Sequence, residues 1–430
     1  MSKHHKKVLI IGHNVLDHQT AFGKTLISFF RSWDPDCLAQ LYFHSEVPTT
    51  ELCRHYFRIT DTDALRSIFK RKSGTVGRSF DQTQIEPKRT VSRTDEGVKK
   101  KLYSFGRKRT SYIYMARNTV WRLSRWYSDA LKKWLRDFAP DVIFFAAGDY
   151  AFAYRIAYTI SEQLNIPIVT YCCDDYFVNR LNPRSVFSKL VYQNLMKHVR
   201  RCVQRSACLI TICEQMTQAY RRFFDKPIHT VYTGYSAEGQ PYHGGQSIVY
   251  LGNLGFSRYQ SLIDIGRALQ KLSQETGNDW HLDLYSAENR EEILSQLTAE
   301  NGIRFHGAVS HAQVQDIIDN SLLVVHAESF LPKNIYKVRF SISTKIADLL
   351  ACRRCIFAYG PAEIASIEYL QQNQAACVVS DPQRLLETLR TVLTDTSLQE
   401  KITQNAFALA QRNHDKDLIP DRIQAIIEQI

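Results

Sequence analysis

The sequence predicts an α/β protein of two Rossmann-like domains, each a parallel sheet covered by helices. Short apolar runs alternate with helical patterns through both halves, the rhythm of strand–helix units in a parallel sheet. The 430 residues are too many for one ordinary core and suit two of roughly 200 residues each. Between the halves, Thr233 to Ser247 reads TGYSAEGQPYHGGQS, a Gly, Ser and Pro cluster that marks a hinge. An apolar content of 44% is that of a globular chain.

The first domain is expected over residues 1–234. Its strands should lie at Lys7–Ile11, Ala39–Phe43, Val142–Ala146, Ile168–Tyr171, Leu209–Ile212 and His229–Tyr232, with helices between them, notably Thr20–Trp33 and Ala151–Leu164. From about 70 to 110 the regular pattern fails, and a polar, strongly cationic stretch favours a mobile excursion over a packed element. Ser111 to Phe138 then reads as one long helix, with Ile113, Ala116, Val120, Leu123, Tyr127, Ala130 and Trp134 forming a stripe toward a core. Arg122, Arg125, Lys132, Lys133 and Arg136 occupy the other side, with Trp121 and Trp126 near its edges. Cations bordered by indoles suit an anionic lipid interface, and a plain solvated face is the alternative.

The second domain is expected over residues 247–412, with strands at Ile248–Leu251, His281–Tyr285, Ile303–Phe305, Leu322–Val325, Ile356–Ala358 and Ala376–Val379. Residues 413–430 continue as a helix expected to pack across the surface.

Charge divides the two halves. Residues 1–234 carry 38 Lys and Arg against 20 Asp and Glu, whereas residues 235–430 carry 17 against 23. A basic first half implies an anionic partner: a membrane leaflet, a nucleic acid or a phosphorylated substrate. No RNA-binding sheet signature, zinc finger or basic zipper accompanies it, so no specific nucleic-acid partner is expected. Val8–Ile11, after the basic MSKHHKK, is too short for a signal segment, which points to a cytoplasmic protein. The ten cysteines are scattered through apolar runs, and Cys352–Cys355 is a lone CxxC, so no structural metal is expected.

Ser321 to Pro361 concentrates the chemistry. A strand delivers Glu328, and a polar loop then opens a helix through Ser343, Thr344 and Lys345, with Asp348 in its first turn. That edge of a parallel sheet binds ligands, and a helix start favours phosphate.

Three blocks of the second half, IVYLGNLGFSRYQSL, IRFHGAVSHAQVQDIIDNSLLVVHAES and STKIADLLACRRCIFAYGP, resemble the donor domain of GT-B nucleotide-sugar glycosyltransferases, especially family 4 of the bacterial polysaccharide type. The first half is similar more loosely, through its opening strand with Gly12, PDVIFFAAGDY and CLITICEQMTQAY. The resemblance implies two domains facing across a cleft, and a nucleoside diphosphate sugar as donor. It implies a lipid-linked or polysaccharide acceptor, a retaining outcome, and no tightly bound cofactor. With the basic first half, it suggests a peripheral site on the inner face of the cell membrane, against an anionic surface. The family's paired glutamates differ here: the second aligns with Asp348, the first falls at Phe340, and Glu328 lies earlier. Arg353 stands where the family commonly has glycine.

On this reading Lys345 and Arg258, with the turn Gly252-Asn253-Leu254-Gly255, hold the diphosphate. Asp348 accepts from the ribose diol, and Glu328 contacts the sugar or ribose, or else caps local backbone. Ser343 and Thr344 donate to phosphate or cap the helix. In the first half Gly12 and His13 follow the opening strand, and Asp149 ends another as the candidate base, with helix capping as its alternative. A sugar-nucleotide epimerase or hydrolase is the second enzyme reading. A basic, non-enzymatic protein that binds membrane or nucleic acid is the third.

Overall fold

The computed structural model describes residues 5–18, 20–69, 76–81, 111–178 and 185–430. The run VLIIG becomes β1 (Val8–Gly12), buried at all five positions as a parallel strand between two helix layers must be. It is followed by β2 (Leu38–Tyr42), β3 (His55–Arg58), β4 (Arg78–Asp81), β5 (Val142–Ala147), β6 (Ile168–Cys172), β7 (Ser206–Thr211) and β8 (Ile228–Thr230). They form one sheet in the order β4-β3-β2-β1-β5-β6-β7-β8, in which only the β3–β4 pairing is antiparallel. The chain leaves β1 toward one edge and returns to β5 on its other side. That reversal opens a crevice beyond the carboxyl ends of β1 and β5.

β3 and β4 were not expected. HYFR is a short strand with polar ends, and RSFD lies inside the stretch expected to be mobile. Phe80 stacks on Tyr56 with ring centroids 5.5 Å apart, which ties this edge to the sheet. The rest of the cationic stretch, 70–75 and 82–110, lies outside the described residues.

The long helix expected over 111–138 is two, Ser111–Leu123 and Asp129–Phe138. Ser128 breaks it: its backbone is extended, and its hydroxyl accepts from Leu131 N at 3.3 Å and donates to Val76 O at 3.0 Å. The first helix buries Tyr114 and Trp121 rather than the expected stripe, leaving Leu123 60% exposed. Trp121 is fully buried, stacked on Phe152 at 4.2 Å, with its indole donating to Asp61 Oδ1 at 2.7 Å. Trp126 is buried as well, so neither indole borders a basic face.

Asp129–Phe138 ends with Ala139 in the left-handed conformation, φ 51° and ψ 66°, at an exposed position. A Cβ is disfavoured there by about 1–2 kcal/mol, more than glycine's extra unfolded-state entropy returns. Ala139→Gly should therefore raise stability by roughly 0.5–1 kcal/mol, read as an upward shift in melting temperature; an unchanged or lower value contradicts this.

The second sheet is built from β9 (Ser247–Leu251), β10 (Leu282–Tyr285), β11 (Ile303–Gly307), β12 (Ser321–Ala327), β13 (Cys355–Tyr359) and β14 (Cys377–Val379). All pairings are parallel, in the order β11-β10-β9-β12-β13-β14, and the reversal falls between β9 and β12. The two units comprise residues 1–231 with 419–430, and residues 232–418. The stretch expected as a hinge therefore belongs, from Tyr232 on, to the second unit. It lies so close that a side-chain carbon at Gly239 would sit 2.1 Å from Cys352 O.

The last helix, Leu418–Glu428, packs one face against the first unit. Ile419, Ile423 and Ile427, spaced by four, are fully buried in the first unit's core beside Val8 and Ile10. All ten cysteines are free thiols.

Candidate functional site

The loop after β9 and the strand end of β12 meet at the second sheet's reversal. Gly252-Asn253-Leu254-Gly255 leads through Phe256 and Ser257, both at positive φ (54° and 59°), into the helix Arg258–Thr276. A side-chain carbon at Gly252 would lie 2.7 Å from Lys345 Nζ and 2.9 Å from the Tyr250 hydroxyl, so only glycine lets the lysine approach this turn. Lys345 Nζ donates to Leu251 O at 3.0 Å. Burial, then the charge of Arg258, draws the lysine below its usual pKa, with Asp348 opposing.

A cavity of about 860 Å³ opens here, within the span of small-ligand sites. Gly252, Asn253, Lys345 and Asp348 all line it, as expected of donor ligands. Asp348 Oδ1 also accepts from Ser236 N at 2.7 Å, which fixes the carboxylate on the cavity wall. Sequence reasoning missed the opposite wall, formed by Tyr285-Ser286-Ala287-Glu288 after β10 and Val309 after β11. Their signal was position, since each follows a parallel strand of the same sheet. There Arg290 donates to Glu288 through Nε at 2.9 Å and Nη2 at 2.6 Å, and this pairing holds the Glu288 carboxyl at about 2.

Arg258, Glu328, Ser343 and Thr344 do not line the cavity. Arg258 Nε and Nη2 each donate to the Glu328 carboxylate at 3.0 Å, and Nη1 reaches Asn253 Oδ1 at 3.1 Å. Glu328 is 3% exposed, and its backbone is held by Tyr359 O at 2.9 Å and the Ser261 hydroxyl at 2.8 Å. Burial pushes the Glu328 carboxyl up while Arg258 opposes it. The pair is therefore one buried, bidentate unit that braces the glycine turn through Asn253. Behind it His326 is buried and donates to or accepts from Ser366 Oγ at 3.0 Å. Burial and the charges of Arg258 and Lys345 bring it to about 3, so it is neutral.

The helix that carries Lys345 and Asp348 spans only Lys345–Ala351, and Thr344 makes no side-chain cap. Ser343 Oγ accepts from Lys345 N at 3.4 Å. The expected helix-terminus contribution to phosphate binding is thus small, and the ammonium is the main cation on this wall. Arg353, beyond the helix, sits at φ 55° with its guanidinium 3.9 Å from the Phe407 ring centre, which explains why glycine suits that position.

In the first unit, Gly12, His13 and Asp149 come together at the β1–β5 reversal. His13 lies 4.8 Å from the Tyr150 ring centre and 3.5 Å from Arg117 Nη2, while Arg117 covers Tyr150 at 4.1 Å. Asp149 is buried and accepts from the Tyr114 phenol. It does not cap the following helix, whose N-cap is Tyr150 with no side-chain bond. Gly12 is under no steric demand, because an added carbon would meet Ala146 at an ordinary 3.5 Å. Among the described residues, no cluster of His, Cys, Asp and Glu could hold a metal ion.

Residues 91–238 match the model of Glycosyltransferase Family 4, and residues 266–426 match a Glycosyl transferase-like model. No curated protein sequence matches the chain significantly. Among solved structures it is similar to Anabaena HepE in complex with UDP and glucose, at 14% identity and TM-score 0.60 over 99% of this chain and 100% of that one. Sucrose-phosphate synthase from Thermosynechococcus elongatus matches at 11% identity and TM-score 0.58, covering 98% of each chain. WaaG, a glycosyltransferase involved in lipopolysaccharide biosynthesis, matches at 10% and 0.55, covering 98% of this chain and 99% of that one. The fold is the GT-B architecture of glycosyltransferases, a class that moves a sugar from a nucleotide donor to an acceptor. Within that class the chain is similar to the family 4 glycosyltransferases over residues 91–238 and to a broader glycosyltransferase-like domain over residues 266–426.

Proposed function

We propose that the cavity of the second unit binds a uridine diphosphate sugar and that the enzyme passes the sugar to a hydroxyl of a lipid-linked or polysaccharide acceptor. The observation that carries this is the convergence of Gly252, Lys345 and Asp348 on one cavity wall at the sheet's reversal. Lys345 supplies the charge that stabilises the departing diphosphate, and the glycine turn offers backbone approach without a side chain. Asp348 accepts from the ribose hydroxyls. Asp149, beside His13 in the first unit, is the candidate base for the acceptor hydroxyl. UDP in the HepE structure and the lipopolysaccharide role of WaaG favour these choices of nucleotide and acceptor. No described helix is long and apolar enough to cross a membrane, so an acceptor in the lipid phase is reached from the surface.

A melting-temperature screen against UDP, GDP, CMP and TDP tests the donor. UDP at 100 times its dissociation constant should add about 2.7 kcal/mol of stability, whereas no response to any nucleoside diphosphate would overturn the reading. Sugar release without acceptor at the full rate would favour the epimerase or hydrolase alternative.

A further inference from the structure

The turn that leads from Gly255 into the helix Arg258–Thr276 carries more strain than a change of direction needs. Phe256 and Ser257 both sit in the left-handed region, at φ 54° and 59°, where a Cβ is disfavoured and glycine or asparagine is the usual occupant. The surrounding structure holds them there. Asn334, 4% exposed, donates through Nδ2 to Phe256 O at 2.7 Å and to Ser329 Oγ at 3.2 Å, which ties the turn to the segment after β12. Strain kept at two adjacent residues and held by a buried amide is a mark of ligand clamps, where a particular side chain has to be presented.

The side chain presented is a bare aromatic ring. Phe256 is 46% exposed, takes no part in the second unit's apolar core, and lines the cavity. Tyr285, the other aromatic among the described lining residues, is stacked on His306 at 4.6 Å, whereas among the described residues no ring packs on Phe256. The Arg258 guanidinium lies 5.7 Å from its ring centre and is already paired with Glu328. A phenyl face attracts C–H groups and repels anions, because its π cloud is the negative part of its quadrupole. The C–H face of a neutral pyranose suits it, and a uronic acid would bring a carboxylate to a turn whose arginine is taken. Position selects the sugar over the base. The ribose end is marked by Asp348 and by Ser236, which is bonded to it, whereas Phe256 belongs to the loop that meets Lys345 at the diphosphate. It therefore borders the group carried on the other phosphate.

We propose that Phe256 determines which sugar is transferred: its ring stacks on the C–H face of a neutral hexose attached to the distal phosphate and selects against a uronic acid. The proposal rests on the reading of this cavity as the donor site. Asn334 is a positioning residue, acting through the Phe256 carbonyl.

Calorimetric titration of the full chain with UDP, UDP-glucose, UDP-galactose, UDP-N-acetylglucosamine and UDP-glucuronic acid tests it. The wild type should bind the tightest of the three neutral donors at least about tenfold more strongly than UDP-glucuronic acid. Phe256→Ala should weaken that neutral donor at least about tenfold while leaving UDP within about twofold, and Phe256→Tyr should keep both. Because glycine suits φ 54°, Phe256→Gly should lose the sugar contact as alanine does, yet melt no lower than the wild type. A ring that only plugs the turn would do the reverse, lowering the melting temperature and UDP binding together. Equal losses for UDP and the neutral donor, no loss for either, a lower-melting Phe256→Gly, or a preference for UDP-glucuronic acid would overturn the proposal. Failure of the wild type to bind UDP at all would strike the donor reading itself, and this proposal with it.

Discussion

Replacing Lys345 by alanine should lower kcat/KM for sugar transfer by about 10²–10³, the loss expected when a preorganised cation is removed from developing charge. The size follows from the geometry. Lys345 Nζ is anchored to Leu251 O and sits over a glycine that no other residue could replace without displacing it. Arg258 does not substitute for it, since each of its three nitrogens is engaged by Glu328 or Asn253 and it does not line the cavity. The effect should fall on kcat as well as KM, because the diphosphate carries more charge as it leaves than when bound. A loss of less than tenfold would show that another group neutralises the diphosphate.

Glu328→Ala should cost the second unit about 3–5 kcal/mol, through stability before chemistry. The variant leaves the Arg258 guanidinium, 16% exposed, without its counter-ion. Asn253 alone cannot satisfy it. Trp280, the one tryptophan in residues 232–418, gives a local fluorescence probe for urea unfolding of that unit. Glu328→Leu combined with Arg258→Met should recover most of the loss, because replacing both members of a buried pair removes the stranded charge. A single variant within about 1 kcal/mol of wild type would mean that the pair braces nothing.

These two outcomes divide roles that one stretch of sequence held together. SLLVVHAESFLPKNIYKVRFSISTKIADLLACRRCIFAYGP announces a strand end with an acid, hydroxyls and an ammonium. It does not disclose that Glu328 faces Arg258, seventy residues earlier, rather than the cavity. Strands buried on both faces were legible because their apolar runs are unbroken. β3 and β4 were not, because HYFR and RSFD are short edge strands whose pairing and stacking supply what their composition lacks. The helix from Ser111 to Phe138 was misread because periodicity continues across the break after Leu123, while the Ser128 hydroxyl caps a second helix that starts at Asp129. The last helix shows Ile419, Ile423 and Ile427 at perfect spacing, yet spacing cannot say which core they enter. Lys345 and Asp348 both line the cavity because a lysine and a carboxylate three residues apart share one helix face.

The most direct measurement is calorimetric titration of UDP into the wild type and Lys345→Ala. The account predicts saturable one-site binding to the wild type and at least about tenfold weaker binding to the variant, as loss of a charge-assisted contact requires. No heat of binding in the wild type, or equal affinity in the two proteins, would contradict it.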